Sequence, residues 1–284
     1  MMDPMLMSAF SGALGGLMTK AFDGPLNSVQ DVWFATVGYK TALLRQKAEE
    51  RNKLQIEAYA KDIASEVAKI PENSIKEPDY SILGPAFEAS TYYVNNETVR
   101  GMFAKLVASS VDKRKENVTR SAFVEFIKQM SIIDAGLLKK LAPMNSAPIA
   151  NLQTLFPGDG NTPFKSEIVS MDFENNLVIR KSLPSAIINL DRMGLIKVDY
   201  SSWKSSFNYD ENFKQTPEYM ELDANIKQEH VKCSKTLDDI KTFHVNVKPG
   251  AIPALEKIIK TKASIGKGQM FLTNLGEDFI SVCL

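Results

Sequence analysis

The side chains with the chemistry of soft metal ligands are few: two cysteines, Cys233 and Cys283, and two histidines, His230 and His244. His230, Cys233 and His244 could give a metal three ligands, but no fourth partner stands at metal-ligand spacing, so no metal site is expected. Neither cysteine has a histidine placed by sequence to activate it, and no Gly-x-Ser-x-Gly elbow occurs, so nucleophilic catalysis has no candidate residue. The glycines between Gly12 and Lys20 lack the Gly-Lys-Ser/Thr ending that a phosphate-cradling loop needs. Among 34 acidic residues some carboxylates will be neighbours, yet spacing nominates no pair for acid–base work. Asn96-Glu97-Thr98 and Asn117-Val118-Thr119 match glycosylation acceptors, and without a secretory signal they read as helix-cap chemistry. Residue chemistry thus leads us to expect no catalytic residue, no metal and no cofactor, and a protein that is not an enzyme.

Composition sets the frame for the elements that would position any site. The chain has 284 residues, 44% of them hydrophobic and 24% charged, with 34 basic residues against 34 acidic ones. That excludes a disordered chain and implies one large or two small globular domains. A net charge of zero removes the overall basicity expected of a protein held to long nucleic acid by phosphates, so such a role would have to be local. Two cysteines support no disulfide framework, which points to the reducing cytosol. The start of the chain carries Asp3 where a signal peptide would be cationic, and no stretch reaches the roughly 18 apolar residues of a spanning helix.

One segment departs from this composition. Residues 4–19 are uncharged and rich in Met, Gly, Ala and Leu; as a helix they would be about 24 Å long, short of the roughly 30 Å hydrocarbon core. Phe10, Leu14, Leu17 and Met18 could therefore contact a membrane surface or a second protomer, or pack as a first helix. Residues 1–25 are read as this leader, 26–115 as a helical domain and 116–284 as a second domain.

Helical periodicity runs from Leu26 to Lys69, with Val29, Trp33 and Val37 followed by Ile56, Tyr59, Ile63, Val67 and Ile70. Pro71–Pro85 reads as a connector with three prolines. Asn96 is placed to cap a helix burying Val99, Met102, Phe103, Leu106 and Val107. Phe123, Phe126, Ile127 and Met130 share a face of the next, and Ser131 with Asp134 forms a capping-box-like start for a third. Beyond Pro143 we expect an irregular loop over 145–161, a hairpin over 168–179 turning at Asn175-Asn176, and a short helix capped by Ser182 and closed by Gly194. Ile196, Val198 and Tyr200 alternate as a strand, as do Phe243, Val245 and Val247. Residues 251–261 read equally as helix or strand. Gly266-Lys267-Gly268 reads as a tight turn, and Asn274 with Glu277 caps a final helix. Residues 205–240 look like an acidic, solvated insertion; Tyr209–Glu229 alone holds six acids and two lysines.

This order predicts an α+β chain, mainly α: an N-terminal long-helix bundle followed by a winged-helix-like domain, with Ser182–Met193 as the recognition-type helix and Gly266–Gly268 as the wing tip. On that reading Asn189 and Arg192, with Lys257, Lys260, Lys262 and Lys267 on the lysine-rich wing side, could contact DNA or a protein partner.

The stretches Asn95–Arg114, Ser121–Leu141, Asn189–Val198 and Phe271–Cys283, in this order and spacing, resemble the bacterial abortive-infection alpha family over roughly residues 30–284. The resemblance implies defence against bacteriophage, in which an infected cell stops growing before phage matures, and implies no known activity or catalytic residue. The expected partner is a phage or host protein, with membrane-surface contact through residues 4–19, DNA and self-association as the other partners weighed. The expected location is the cytoplasm, or the inner face of the membrane if the leader attaches there.

Overall fold

In the computed structural model, residues 58–93 and 95–284 are described. The leader 1–25, with Phe10, Leu14, Leu17 and Met18, and the long-helix expectation over residues 26–57 lie outside these residues. Two units divide the chain: one takes residues up to Lys139 together with Asn274–Leu284, the other Lys140–Thr273.

The first unit is built from helices whose stripes the sequence carries openly. Helix α1 (58–67) buries Tyr59, Ile63 and Val67. The connector expected over Pro71–Pro85 is shorter, because α2 (Tyr80–Tyr93) already begins at Tyr80 and carries Pro85 in its interior; α3 (Glu97–Ser110) follows. Asn96 caps α3 by accepting from the Val99 amide at 3.3 Å, and Glu97 sets a negative charge at the positive end of the helix dipole. Helix α4 (Ala122–Gln129) buries Phe123 and Ile127. Helix α5 (Ile132–Leu141) begins with a reciprocal box: the Ser131 amide donates to Asp134 Oδ2 at 2.7 Å and the Asp134 amide to Ser131 Oγ at 3.2 Å. The last helix of the chain, Asn274–Cys283, returns to this unit and places Phe279 edge-on to Phe123, ring centroids 5.2 Å apart.

The second unit is a four-stranded antiparallel sheet with helices. Strand β1 (Ser146–Phe156) pairs with β2 (Gly160–Val169) on one side and β4 (Lys262–Leu272) on the other; β3 (Ile196–Asp199) pairs with β4, giving the order β2-β1-β4-β3. Helix α6 (Leu177–Arg192) packs on β2 and β3. Between β3 and β4 run α7 (Tyr209–Lys214), α8 (Pro217–Phe243) and α9 (Ala251–Ile259). The final helix, Asn274–Cys283, is α10.

Several expectations are corrected here. The loop expected over 145–161 is mostly strand β1, and the hairpin turns at Pro157-Gly158-Asp159, where Gly158 and Gly160 take φ of 82° and 89°. Asn176 is no hairpin turn but the cap of α6, accepting from the amides of Val178 and Ile179. Helix α6 therefore starts ahead of Ser182 and carries Pro184 in its interior. The acidic segment is α7 and the first turns of α8, and it supplies core: Tyr209, Phe213, Leu222 and Ile226 join Ala150, Leu152 and Ile168 in one buried cluster. Phe243 ends α8, His244 caps it in the left-handed conformation, and Val245 is exposed, so no strand forms there. Residues 251–259 are helix.

The wing tip is the largest correction, because Gly266-Lys267-Gly268 lies in the middle of β4, which pairs with β1 without interruption from Lys262 to Phe271. These glycines make room on a sheet face instead of turning the chain. A Cβ on Gly268 would lie 2.4 Å from Cδ1 of Tyr200, and one on Gly266 would lie 3.1 Å from Gln153 Nε2. On the opposite face Ala263 and Ile265 pack into the cluster with α7 and α8, and Lys267 lies over the Tyr209 ring.

Candidate functional site

Pleating fixes which side chains can meet on the sheet face that Gly266 and Gly268 keep open. The β1–β4 register sets Ile149 opposite Gly268 and Asn151 opposite Gly266, and successive residues alternate between faces. Ile149 and Met270 are fully buried on this face, and beyond them it turns polar with Asn151, Gln153 and Ser264. On the β2 side the pairing is Ala150 with Ile168 and then Leu152 with Lys165, so Ser166 and Glu167 together oppose Asn151 in a bulge.

The bulge leaves Glu167 at φ 54°, a left-handed backbone that a residue with a Cβ adopts at a cost of about 1–3 kcal/mol. Its amide donates to the Tyr200 hydroxyl at 3.1 Å. Tyr200, just past β3, thus has its ring against Gly268 on β4 and its hydroxyl at β2. Asn151 Oδ1 is buried among these strands with no hydrogen-bond partner, an acceptor whose desolvation is uncompensated.

The electrostatics of the two faces differ. Burial holds the Glu167 carboxyl above the ordinary glutamate value; the Tyr200 hydroxyl opposes this and the Asp191 charge adds to it. Burial also raises the Tyr200 hydroxyl. On the opposite face, where Asp199 pairs with Gln269, the Asp199 carboxyl goes the other way, down to about 2, because the hydroxyls of Ser201 and Ser202 and the Ser201 amide donate to it. Gln269 in turn donates to Ser202 Oγ at 2.7 Å and fixes that hydroxyl. The face kept open by Gly266 and Gly268 therefore presents one carboxyl that keeps its proton to higher pH and a buried unpaired acceptor. Those are the features of a surface that recognises a polar ligand by hydrogen bonds, since unpaired buried groups reward a matching partner and penalise a mismatched one.

The contact residues expected from the sequence are dispersed by comparison. Arg192 Nη2 donates to Asn189 Oδ1 at 2.8 Å, and the neighbouring Asp191 accepts from the Val198 amide, so the end of α6 is tied to itself and to β3. Lys257 is ion-paired with Asp159. Lys260 follows α9, and Lys262 stands exposed opposite Leu155. Lys262 and Lys267 are an odd number of residues apart on one strand and so project from opposite faces. The two histidines and Cys233 are also apart in role: His230 Nε2 lies 3.0 Å from Thr261 Oγ1, His244 Nδ1 donates to the Lys241 carbonyl at 2.9 Å, and Cys233 is buried in α8. Among the described residues no group of three His, Cys, Asp or Glu is placed to hold a metal ion, and no helix is long and apolar enough to cross a membrane. Burial raises the Cys283 thiol far above its usual value, which suppresses the reactive thiolate.

Sequence reasoning placed Asp199 and Tyr200 at a half-buried strand but did not single them out, and it missed Asn151 and Glu167. The one available signal was the pair of glycines flanking Lys267, since glycine inside a strand marks a bulge or a close approach. The family model described as abortive infection alpha matches residues 51–283 of this chain. No curated protein and no solved structure gives a match.

Proposed function

This chain belongs to the abortive infection alpha family, a family of abortive-infection defence, and from that premise we propose that it is a bacterial anti-phage protein that works by gripping a phage or host component. The observation that supports the reading is a family match extending through both units, 51–283. The face formed by Asn151, Glu167 and Tyr200 is the gripping surface in this reading, and recognition there proceeds by hydrogen bonding without a chemical step. The apolar stretch 4–19 adds a membrane-surface contact to the same proposal.

The test is induced expression in a phage-sensitive bacterium, with and without infection, scored by phage yield and culture survival. The wild-type chain is expected to lower phage yield, and a chain carrying Asn151→Leu and Glu167→Gln, present at the same level, is expected to lose that protection. Equal protection by both would overturn the assignment of the face; no protection by either would overturn the defence role. Co-flotation with lipid vesicles, retained by the full chain and lost when it begins at Pro25, tests the membrane contact.

A further inference from the structure

The first unit holds a cleft of about 250 Å³ between α1, α3, the short 3₁₀ turn Lys113–Lys115 and the end of α10. Ile70 and Ala108 form apolar wall, and four cationic side chains, Lys69, Lys105, Arg114 and Lys115, share the lining with two carboxylates, Glu66 and Asp112. Both carboxylates are committed. Glu66 accepts from Lys69 at 2.7 Å. Asp112, almost fully buried, accepts from the Arg114 side chain through Nε at 2.9 Å and Nη2 at 2.7 Å, and from the Arg114 amide.

The remaining two cations hold main-chain oxygens. Lys115 Nζ donates to the Ser281 carbonyl at 2.5 Å, and Lys105 Nζ donates to the main-chain oxygen of Leu284. Among the described residues, even a full negative charge on Leu284 would leave the lining with a positive excess. An ammonium carries three donors and a guanidinium five, so after these bonds Lys105, Lys115 and Arg114 all retain N–H groups. Burial lowers the Lys105 ammonium below its ordinary value; the Glu66 charge opposes this, and the charges of Lys139, Lys69 and Lys115 add to it.

We propose that this cleft is an anion site for a phosphoryl group, bound by Lys105, Lys115 and Arg114. A phosphoryl dianion supplies the charge that the lining lacks and several acceptor oxygens for the unused donors. The volume falls just below the roughly 300–1,000 Å³ of drug-sized ligand pockets, so the fit is to a phosphate or one phosphorylated end of a larger molecule. That chemistry is shared by a soluble phosphate monoester and a phosphatidic acid headgroup. The proposal is independent of the sheet-face reading, since it concerns the other unit.

The experiment uses the full chain. Titration with inorganic phosphate and pyrophosphate is followed by calorimetry and thermal midpoint, and a parallel arm measures sedimentation with phosphatidylcholine vesicles with and without phosphatidic acid. Saturable binding in either arm, weakened at least tenfold by Lys105→Gln with Lys115→Gln, is expected, and the responding arm identifies the source. Arg114 is half exposed, so Arg114→Gln alone provides a second reading should the double variant fold poorly, with an expected loss of several-fold. No saturable binding in either arm, or binding unchanged in the folded variants, overturns the proposal.

Discussion

The Arg180 guanidinium, 4% exposed, grips the Glu218 carboxylate with Nε on Oε1 at 3.2 Å and Nη2 on Oε2 at 2.7 Å. Its other donors go to the carbonyls of Val169, Ser170 and Glu174 at 3.0, 3.1 and 2.8 Å. One side chain thereby ties the exit of β2, the loop before α6 and the first turn of α8. A buried charge of this kind is stable only because each donor finds an acceptor.

Removing the arginine strips Glu218 of its bidentate partner and the Val169 and Glu174 carbonyls of an arginine donor, while the Ser170 carbonyl keeps the Glu174 amide at 3.2 Å. Arg180→Ala is expected to destabilise the protein by about 3–5 kcal/mol, while Arg180→Met with Glu218→Leu recovers a large part of that loss. Urea unfolding of the three proteins checks this, and a loss below about 1 kcal/mol for Arg180→Ala would show that the pair is not holding the elements together.

Gly268 is required by the Tyr200 ring that lies against it. Gly268→Ala should cost about 1–3 kcal/mol through overpacking, and the cost should shrink when Tyr200→Leu is added, since the clashing ring is gone. A double-mutant cycle measured by denaturation would expose the coupling; additive losses would mean that the Asp199 main-chain oxygen, 2.9 Å from the added methyl, sets the cost and the ring does not.

Acid stability should carry two opposite contributions, one from each face of the sheet. Glu167 is raised in the folded state, so its contribution is fully present below the ordinary value of 4.5 and is lost as pH climbs through the higher folded value; Glu167→Gln should remove that loss. Asp199 is depressed from 3.8 to about 2, so its contribution is present above 3.8 and disappears as pH falls through 2; Asp199→Asn should flatten stability in that window. Thermal midpoints measured from pH 2 to 8 separate the two, and slopes of the reverse sign would refute the assignment.

Phe279 anchors α10 to the first unit by its edge-on contact with Phe123 and a ring that is fully buried. Phe279→Ala is expected to cost about 3–5 kcal/mol. Hydrogen exchange should then show early loss of protection in Asn274–Cys283; unchanged protection would mean that Val282 and Cys283, also buried, suffice to hold the helix.

What the sequence determined by itself is the part of the fold written in local spacing. The Asn96 cap, the Ser131–Asp134 box and the stripes of α1, α3 and α4 depend on residues three or four positions apart, so they are present in any short window. Even the buried face of the acidic segment obeyed that spacing at Tyr209 and Phe213, but six acids hid two aromatic rings whose burial depends on a sheet formed elsewhere. Only the tertiary structure decided that Gly266 and Gly268 clear space in a strand and that Asn151 lies opposite Glu167 in a bulge. Each of these follows from strand register between distant segments, and a register shift of one residue would send every one of those side chains to the opposite face.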